Sequence, residues 1–205
     1  MKTLIGFRHS LKDKDNNISP EGLARAERQG KACEKYKISR MWVGPLIRTT
    51  QTRNAFLNGY IVGWLGKNLE VRIIDNPVVA LGTDELFGLM VNDVFKAAVA
   101  AKKSNFDALL AAHGQDQLEK WADTLFDAMD DMFTELGDGE TGAFFGHSPT
   151  TELVAASVEQ SLEDLAAEYR VLPEMAAIIF EQDNRGNFKA VGCIPVPPTP
   201  EQASE

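Results

Sequence analysis

A three-layer α/β/α fold with a largely parallel sheet is what the sequence predicts, and two observations carry it. Short apolar runs alternate with segments of helical spacing along the chain. Several of those runs end in a charged or imidazole side chain just before a helix start, as strands feeding crossover helices do. At 205 residues, 44% hydrophobic and 25% charged, the chain fits one domain with a substantial core.

The first strand is Lys2–Phe7, short, mostly apolar and closed by Arg8-His9-Ser10. Ser19-Pro20-Glu21 then reads as an N-cap, a proline at the first helical position and an acid in the first turn. Leu23, Ala26, Gly30 and Cys33 follow at helical spacing to about Tyr36. Met41–Val43 is a second buried strand, ending at Gly44-Pro45. A helix opens near Leu46 and runs through Arg48 and Gln51 towards Phe56. Val71–Ile74 is the third strand. Asp84 and Glu85 start a helical region that reaches about Leu136, interrupted near Ser104 and Gly114. Its later part carries Leu118, Trp121, Leu125, Met129, Met132 and Leu136 at spacings of three and four. Ala143–Gly146 is the fourth strand. Ser148-Pro149 repeats the cap-then-proline start, and Val154, Val158, Leu162 and Leu165 give that helix its face. Ala176–Phe180 and Phe188–Ile194, around Asn184-Arg185-Gly186-Asn187, form a hairpin. The segment 195–205 holds four prolines and no core pattern, so it is expected to be extended and dispensable. The expected organisation is one domain over 1–194, with a helical insertion at 84–137, and a Pro-rich tail over 195–205.

The formal charge of −9 argues against nucleic-acid binding, which needs a basic face. A local basic pocket can still draw in a small anion. Cys33 and Cys193 lack disulfide-framework or metal-ligand spacing and read as small hydrophobes. No signal peptide and no apolar stretch near ~20 residues appears, so a cytoplasmic location without membrane contact is the expectation. The acidic run Asp127, Asp130 and Asp131 lacks the alternating ligands of a calcium loop and reads as a solvated face. Trp42, Trp64 and Trp121 read as packing residues. His113 reads as a helix-surface or partly buried histidine.

Four strand-to-helix junctions carry chemistry. They offer Arg8 with His9, then Arg48, then Asp84 with Glu85, then His147. In a parallel sheet all four lie on one edge. Cations that hold three oxygens, an imidazole that attacks phosphorus and an acid that protonates a leaving oxygen make a phosphoryl-transfer set.

RHS at 8–10, SPEGLARAERQG at 19–30, GPLIRTTQT at 44–52 and GHSPT at 146–150 resemble, in order, the motifs of the histidine phosphatase superfamily, the phosphoglycerate mutase-like fold. The resemblance implies that His9 is the phosphorylated nucleophile. It implies that Arg8, Arg48 and His147 complete the phosphate-binding pocket, with no metal or cofactor. The family acid falls in an ExxFG-like stretch, matched here by DELFG at 84–88, which puts Asp84 in register with Glu85 beside it. Ser10 stands where the family usually has Gly, and Gly44 where it usually has Ser. The residue pattern of true phosphoglycerate mutases after the first motif is absent, which argues against mutase activity. The motif set is closer to the branch that contains bacterial phosphohistidine phosphatases, although the helical insertion is longer than in that minimal branch.

The function so implied is metal-independent hydrolysis of a small phosphomonoester through phosphohistidine on His9. Arg8 and Arg48 would grip the phosphoryl oxygens with forked hydrogen bonds and lower the pKa of His9 by their charge. Asp84 or Glu85 would protonate the leaving group and then activate water. A phosphohistidine-protein phosphatase, or a non-catalytic phosphate-ligand binding protein on the same fold, are the alternatives.

Overall fold

The computed structural model describes residues 1–65, 70–75, 78, 81–82, 88–159, 169 and 172–199. Six strands form one sheet: β1 Lys2–Arg8, β2 Ile38–Val43, β3 Arg72–Ile73, β4 Thr141–Gly146, β5 Ala177–Gln182 and β6 Phe188–Ile194, in the order β3-β2-β4-β1-β5-β6. The first four are parallel, and β5 and β6 add an antiparallel hairpin beside β1. The parallel part follows from the helical crossovers between those strands. The hairpin follows from the Asp183–Asn187 turn, where Gly186 takes the left-handed conformation (φ 84°).

Strand alternation divides the core in two. Leu4, Trp42, Phe144, Ile178 and Phe180 face one side. Ile5, Phe7, Met41, Val43, Ala143 and Phe145 face the other. Helices cover both faces, which gives the expected three layers.

On the second face lie α1 (Pro20–Ala32) and α2 (Ile47–Gly63). The Ser19 side chain caps α1 by accepting the Gly22 N–H, with Pro20 at the start. The buried face of α1 is Gly22, Ala26, Gln29 and Gly30, and Leu23, expected inside, is exposed. The face is turned because α1 and α2 meet at glycines. A Cβ on Gly30 would lie 1.9 Å from the Phe56 carbonyl oxygen, and one on Gly59 would lie 1.9 Å from that of Glu27. The same contact carries α2 to Gly63, well past the expected end near Phe56, because Gly59 and Tyr60 still pack inward. At the other end α1 stops at Ala32, and a 3₁₀ turn over Glu34–Tyr36 leads into β2.

The other face carries α3 (Asp93–Ala100), α4 (Asn105–His113), α5 (Gln115–Glu135) and α6 (Thr150–Val158). The interruptions fall at Ser104, which caps α4, and at Gly114 (φ 75°) before α5. Leu118, Leu125, Met129 and Met132 are buried on α5, while Asp127, Asp130 and Asp131 are exposed. Ser148, expected to cap α6, does not: the helix has no side-chain cap, because the Ser148 hydroxyl is spent on Glu152. Leu162 and Leu165 lie outside the described residues. After β6 the chain remains attached: the Pro195 carbonyl accepts from Gln29 Nε2 at 3.3 Å, and Val196 packs against the core. Among the described residues no helix is long and apolar enough to cross a membrane.

The α1–α2 crossing yields the first test. Gly59→Ala forces a methyl into the Glu27 backbone, an overpacking that costs about 1–3 kcal/mol. Thermal or urea unfolding should show that loss, and an unchanged midpoint would mean the two helices separate freely.

Candidate active site

Strand register delivers the two histidines. In the parallel β1–β4 pair, Arg8 lies opposite Gly146. His9 and His147 are therefore each the first residue beyond the pair. The His9 amide donates to the Gly146 carbonyl at 2.9 Å, and the two rings lie 4.8 Å apart between centroids. Both are buried, His9 at 7% exposure and His147 at 1%. β2 ends on the same edge, where the Gly44 amide donates to the Phe145 carbonyl at 2.9 Å. α2 starts just beyond it and holds Arg48 in its first turn, where the helix dipole also favours an anion.

The surroundings settle the protonation of His9. Its Nδ1 lies 2.7 Å from the Ser10 carbonyl oxygen. A carbonyl only accepts, so Nδ1 carries the hydrogen and the neutral ring keeps its lone pair on Nε2. The imidazole is pushed down to about 3, first by burial and then by the charges of Arg48, Arg8 and Lys12, with the Ser10 carbonyl opposing. His147 is held well below the usual histidine range, again by burial first, then by His9 and Arg48. Burial, rather than the arginine charge expected from the sequence, is the larger cause, because both rings sit inside the sheet edge.

Arg8 is already half engaged. Its Nη1 donates to the Leu172 carbonyl at 2.7 Å and its Nη2 to Glu174 Oε1 at 2.9 Å, while its Nε is buried without a hydrogen-bond partner among the described residues. Ser10, 1% exposed, has a defined task where the family's glycine would have none. Its hydroxyl donates to the Gly22 carbonyl at 2.8 Å, and its amide to Thr52 Oγ1 at 3.1 Å. Thr52 in turn donates to the Arg48 carbonyl at 2.7 Å. The His9-Ser10 loop, α1 and the Arg48 turn are thus one network.

Sequence reasoning missed Glu152. It is wholly buried on α6 and accepts the Ser148 hydroxyl, which itself accepts from Asn105 Nδ2 at 3.0 Å. Burial pushes its carboxyl up to about 7, against the Ser148 hydrogen bond. A signal was present: beside its apolar residues TTELVAAS holds only small hydroxyl residues and a single charge, so the helix has no charged face and takes its one acid inside.

Asp84 and Glu85 lie outside the described residues. His113 is structural, its Nε2 lying 2.9 Å from the Met90 carbonyl oxygen and its ring edge-on to Trp121. Trp42 is core, and Trp64 packs near Tyr60. Among the described residues no group of three His, Cys, Asp or Glu could hold a metal ion.

No protein-family model and no curated protein sequence matches the chain. Solved structures do. YhfR from Bacillus stearothermophilus matches with a TM-score of 0.63 at 16% identity, covering 93% of this chain and 96% of that one. The fold is phosphoglycerate mutase-like. A phosphoserine phosphatase from Entamoeba histolytica matches at TM-score 0.60 and 14% identity, over 94% of this chain and 96% of that one. A phosphoglycerate mutase from Bacillus anthracis matches at 0.60 and 15%, over 93% and 91%. The phosphoglycerate mutase-like fold that the motifs suggested therefore holds in three dimensions over nearly the whole chain.

The buried His9 makes stability depend on pH. Its imidazole stays neutral in the folded chain down to about 3, against 6.5 as the ordinary value. The unfolded chain therefore binds the extra proton, and stability falls as pH drops through that window. Between about pH 7 and about pH 5 the wild type should lose about 2 kcal/mol relative to His9→Asn. Glu152 acts with the opposite sign, its raised carboxyl adding stability below its unfolded value that is lost as pH rises through about 7. The difference between the two proteins in urea unfolding is thus the measurement, and a pH-independent difference would show His9 to be freely solvated.

Proposed function

We propose that this chain is a phosphatase of the histidine phosphatase superfamily, hydrolysing a small phosphomonoester through a phosphohistidine on His9. The observation that carries this is the neutral His9 ring, fixed by the Ser10 carbonyl with its Nε2 lone pair available, beside His147 and within the fields of Arg8 and Arg48. Phosphatases and mutases among the structural neighbours support hydrolase chemistry on this fold.

Nε2 attacks phosphorus in line as the leaving oxygen departs. Arg8 and Arg48 neutralise the equatorial oxygens, and His147 donates its one N–H to them. Asp84 or Glu85 protonates the leaving oxygen and then takes a proton from the water that cleaves the phosphohistidine. The arginines supply the charge stabilisation, so the mechanism calls for no metal.

His9→Ala should abolish turnover and keep the fold. Acid quench of the wild type should trap acid-labile phosphate on His9, and label elsewhere or full activity in the variant would reject the reading. Tight phosphate binding by a wild type that turns over nothing would favour the binding-protein alternative.

Arg48→Ala should weaken vanadate binding by about 1.5–3 kcal/mol. Arg48→Lys should recover only part, since the fork is lost. Unchanged affinity of both variants in titration calorimetry would place Arg48 outside the pocket. Asp84→Asn should slow an alkyl phosphate far more than para-nitrophenyl phosphate, whose leaving group hardly needs a proton. The reverse pattern between Asp84→Asn and Glu85→Gln would exchange their roles.

A further inference from the structure

The segment 195–199, expected from its prolines to be dispensable, lines a cleft of about 440 Å³. The rest of the lining comes from Arg25 and Arg28 of α1 and from apolar side chains that include Leu172 and Ile194. Among the described residues none of Arg8, His9, Arg48 and His147 lines it. The cleft is separate from the phosphate site, and its volume suits a small molecule.

The apolar side is set in advance. Pro195, Pro197 and Pro198 have a fixed φ and no N–H, so this segment is stiff and poor in donors. Gln29 Nε2 donates to the Pro195 carbonyl at 3.3 Å, which ties the segment to α1, and Val196 packs against the core. A ligand laid on such a surface has little chain to order, and that lowers the cost of binding it.

The charge comes from α1. Arg25 and Arg28 stand three residues apart and therefore share one side of the helix. Among the described residues the lining holds no carboxylate. Arg25 is tied to the exposed Glu21 at 3.2 Å, a surface pair of small worth. Arg28 is half-buried and has no hydrogen-bond or ion-pair partner among the described residues. On a chain of net charge −9, two arginines bordering an apolar cleft make a local positive centre.

These features narrow the ligand. An ammonium is repelled by both arginines. A polyphosphate needs more cations than two, and the net negative charge of the chain opposes it. A neutral hydrocarbon would cover the guanidiniums and strip their water without replacing it. An anion with one compact head and an apolar body satisfies both parts of the lining. A carboxylate is the head whose planar pair of oxygens matches the guanidinium fork.

We propose that this cleft binds a small amphipathic carboxylate, its head on Arg25 and Arg28 and its apolar body along the segment 195–199 and Leu172. Occupancy here does not require phosphatase activity at His9, so the two readings fail independently.

The test is an amide NMR titration of the whole chain with octanoate. Binding should saturate with a dissociation constant below about 1 mM, and the shifts should centre on residues 25–28 and 193–199. Butanoate, with the same head and a shorter body, should bind at least about tenfold more weakly. 1-Octanol, with the body and no charge, should also bind about tenfold more weakly or worse. Arg28→Gln keeps a polar side chain of similar reach and removes the charge, and it should weaken octanoate by about tenfold or more. Arg25→Gln should weaken it as well. The octanol and butanoate comparisons use the wild type, so the test stands even where a variant fails to fold. Absence of saturation, equal affinity for octanol or butanoate, shifts centred on His9 and His147, or unchanged affinity in both variants overturns the proposal.

Discussion

The register of the β1–β4 pair is the constraint on which the rest of this molecule depends. Parallel pairing sets Arg8 against Gly146, so the next residue of each strand, His9 and His147, emerges at the same level with the rings 4.8 Å apart. A slip of one strand by one residue would turn its imidazole to the face opposite the other. The register is strongly specified because both faces are buried: Phe7 and Phe145 stack on one side at 5.3 Å, and Leu4 and Phe144 fill the other. The hydrophobic alternation that stabilises the sheet thus also assembles the site.

Burial then tunes the chemistry. It holds His9 and His147 neutral and raises the Glu152 carboxyl to about 7. The fixed charges left at this edge are chiefly Arg8 and Arg48. Hence an acidic chain, at −9 overall, can present a small positive centre to an anion. For His9 the sequence indicates the direction of the shift but points to charge as its cause. The sequence lists charges; it does not show how deeply a strand end is sunk.

What was legible came from local rules. Ser19-Pro20, Gly114 and the Asn184–Asn187 turn marked their boundaries because capping and turn chemistry act over a few residues. Arg8, His9, Arg48 and His147 were legible as strand-end residues, since parallel topology sends such residues to one edge. The less legible features depend on distant partners. Leu23 is exposed because Gly30 and Gly59 bring α1 onto α2. Ser148 does not cap α6 because Glu152 and Asn105 take its hydroxyl. Ser10 bridges α1 and α2 through Gly22 and Thr52, which a motif comparison registers only as a departure from glycine. Asp84 and Glu85 rest on sequence register alone.

Arg8 links these levels. Its backbone is held on both sides, with its amide donating to Ala176 at 3.1 Å and its carbonyl accepting from Met175 at 3.2 Å. The chain leading into β5 then supplies Leu172 and Glu174 to grip the guanidinium. The antiparallel hairpin, which carries none of Arg8, His9, Arg48 and His147, is therefore preceded by the segment that orients the Arg8 guanidinium. The Glu174 contact is partly exposed, so its own contribution to stability is small. Its larger effect is on orientation. A guanidinium already fixed at the sheet edge need not give up rotamer freedom when an anion arrives. A dipole or charge set in advance stabilises developing negative charge without reorganisation. That is why the strand that follows the last helix matters to the chemistry of the first.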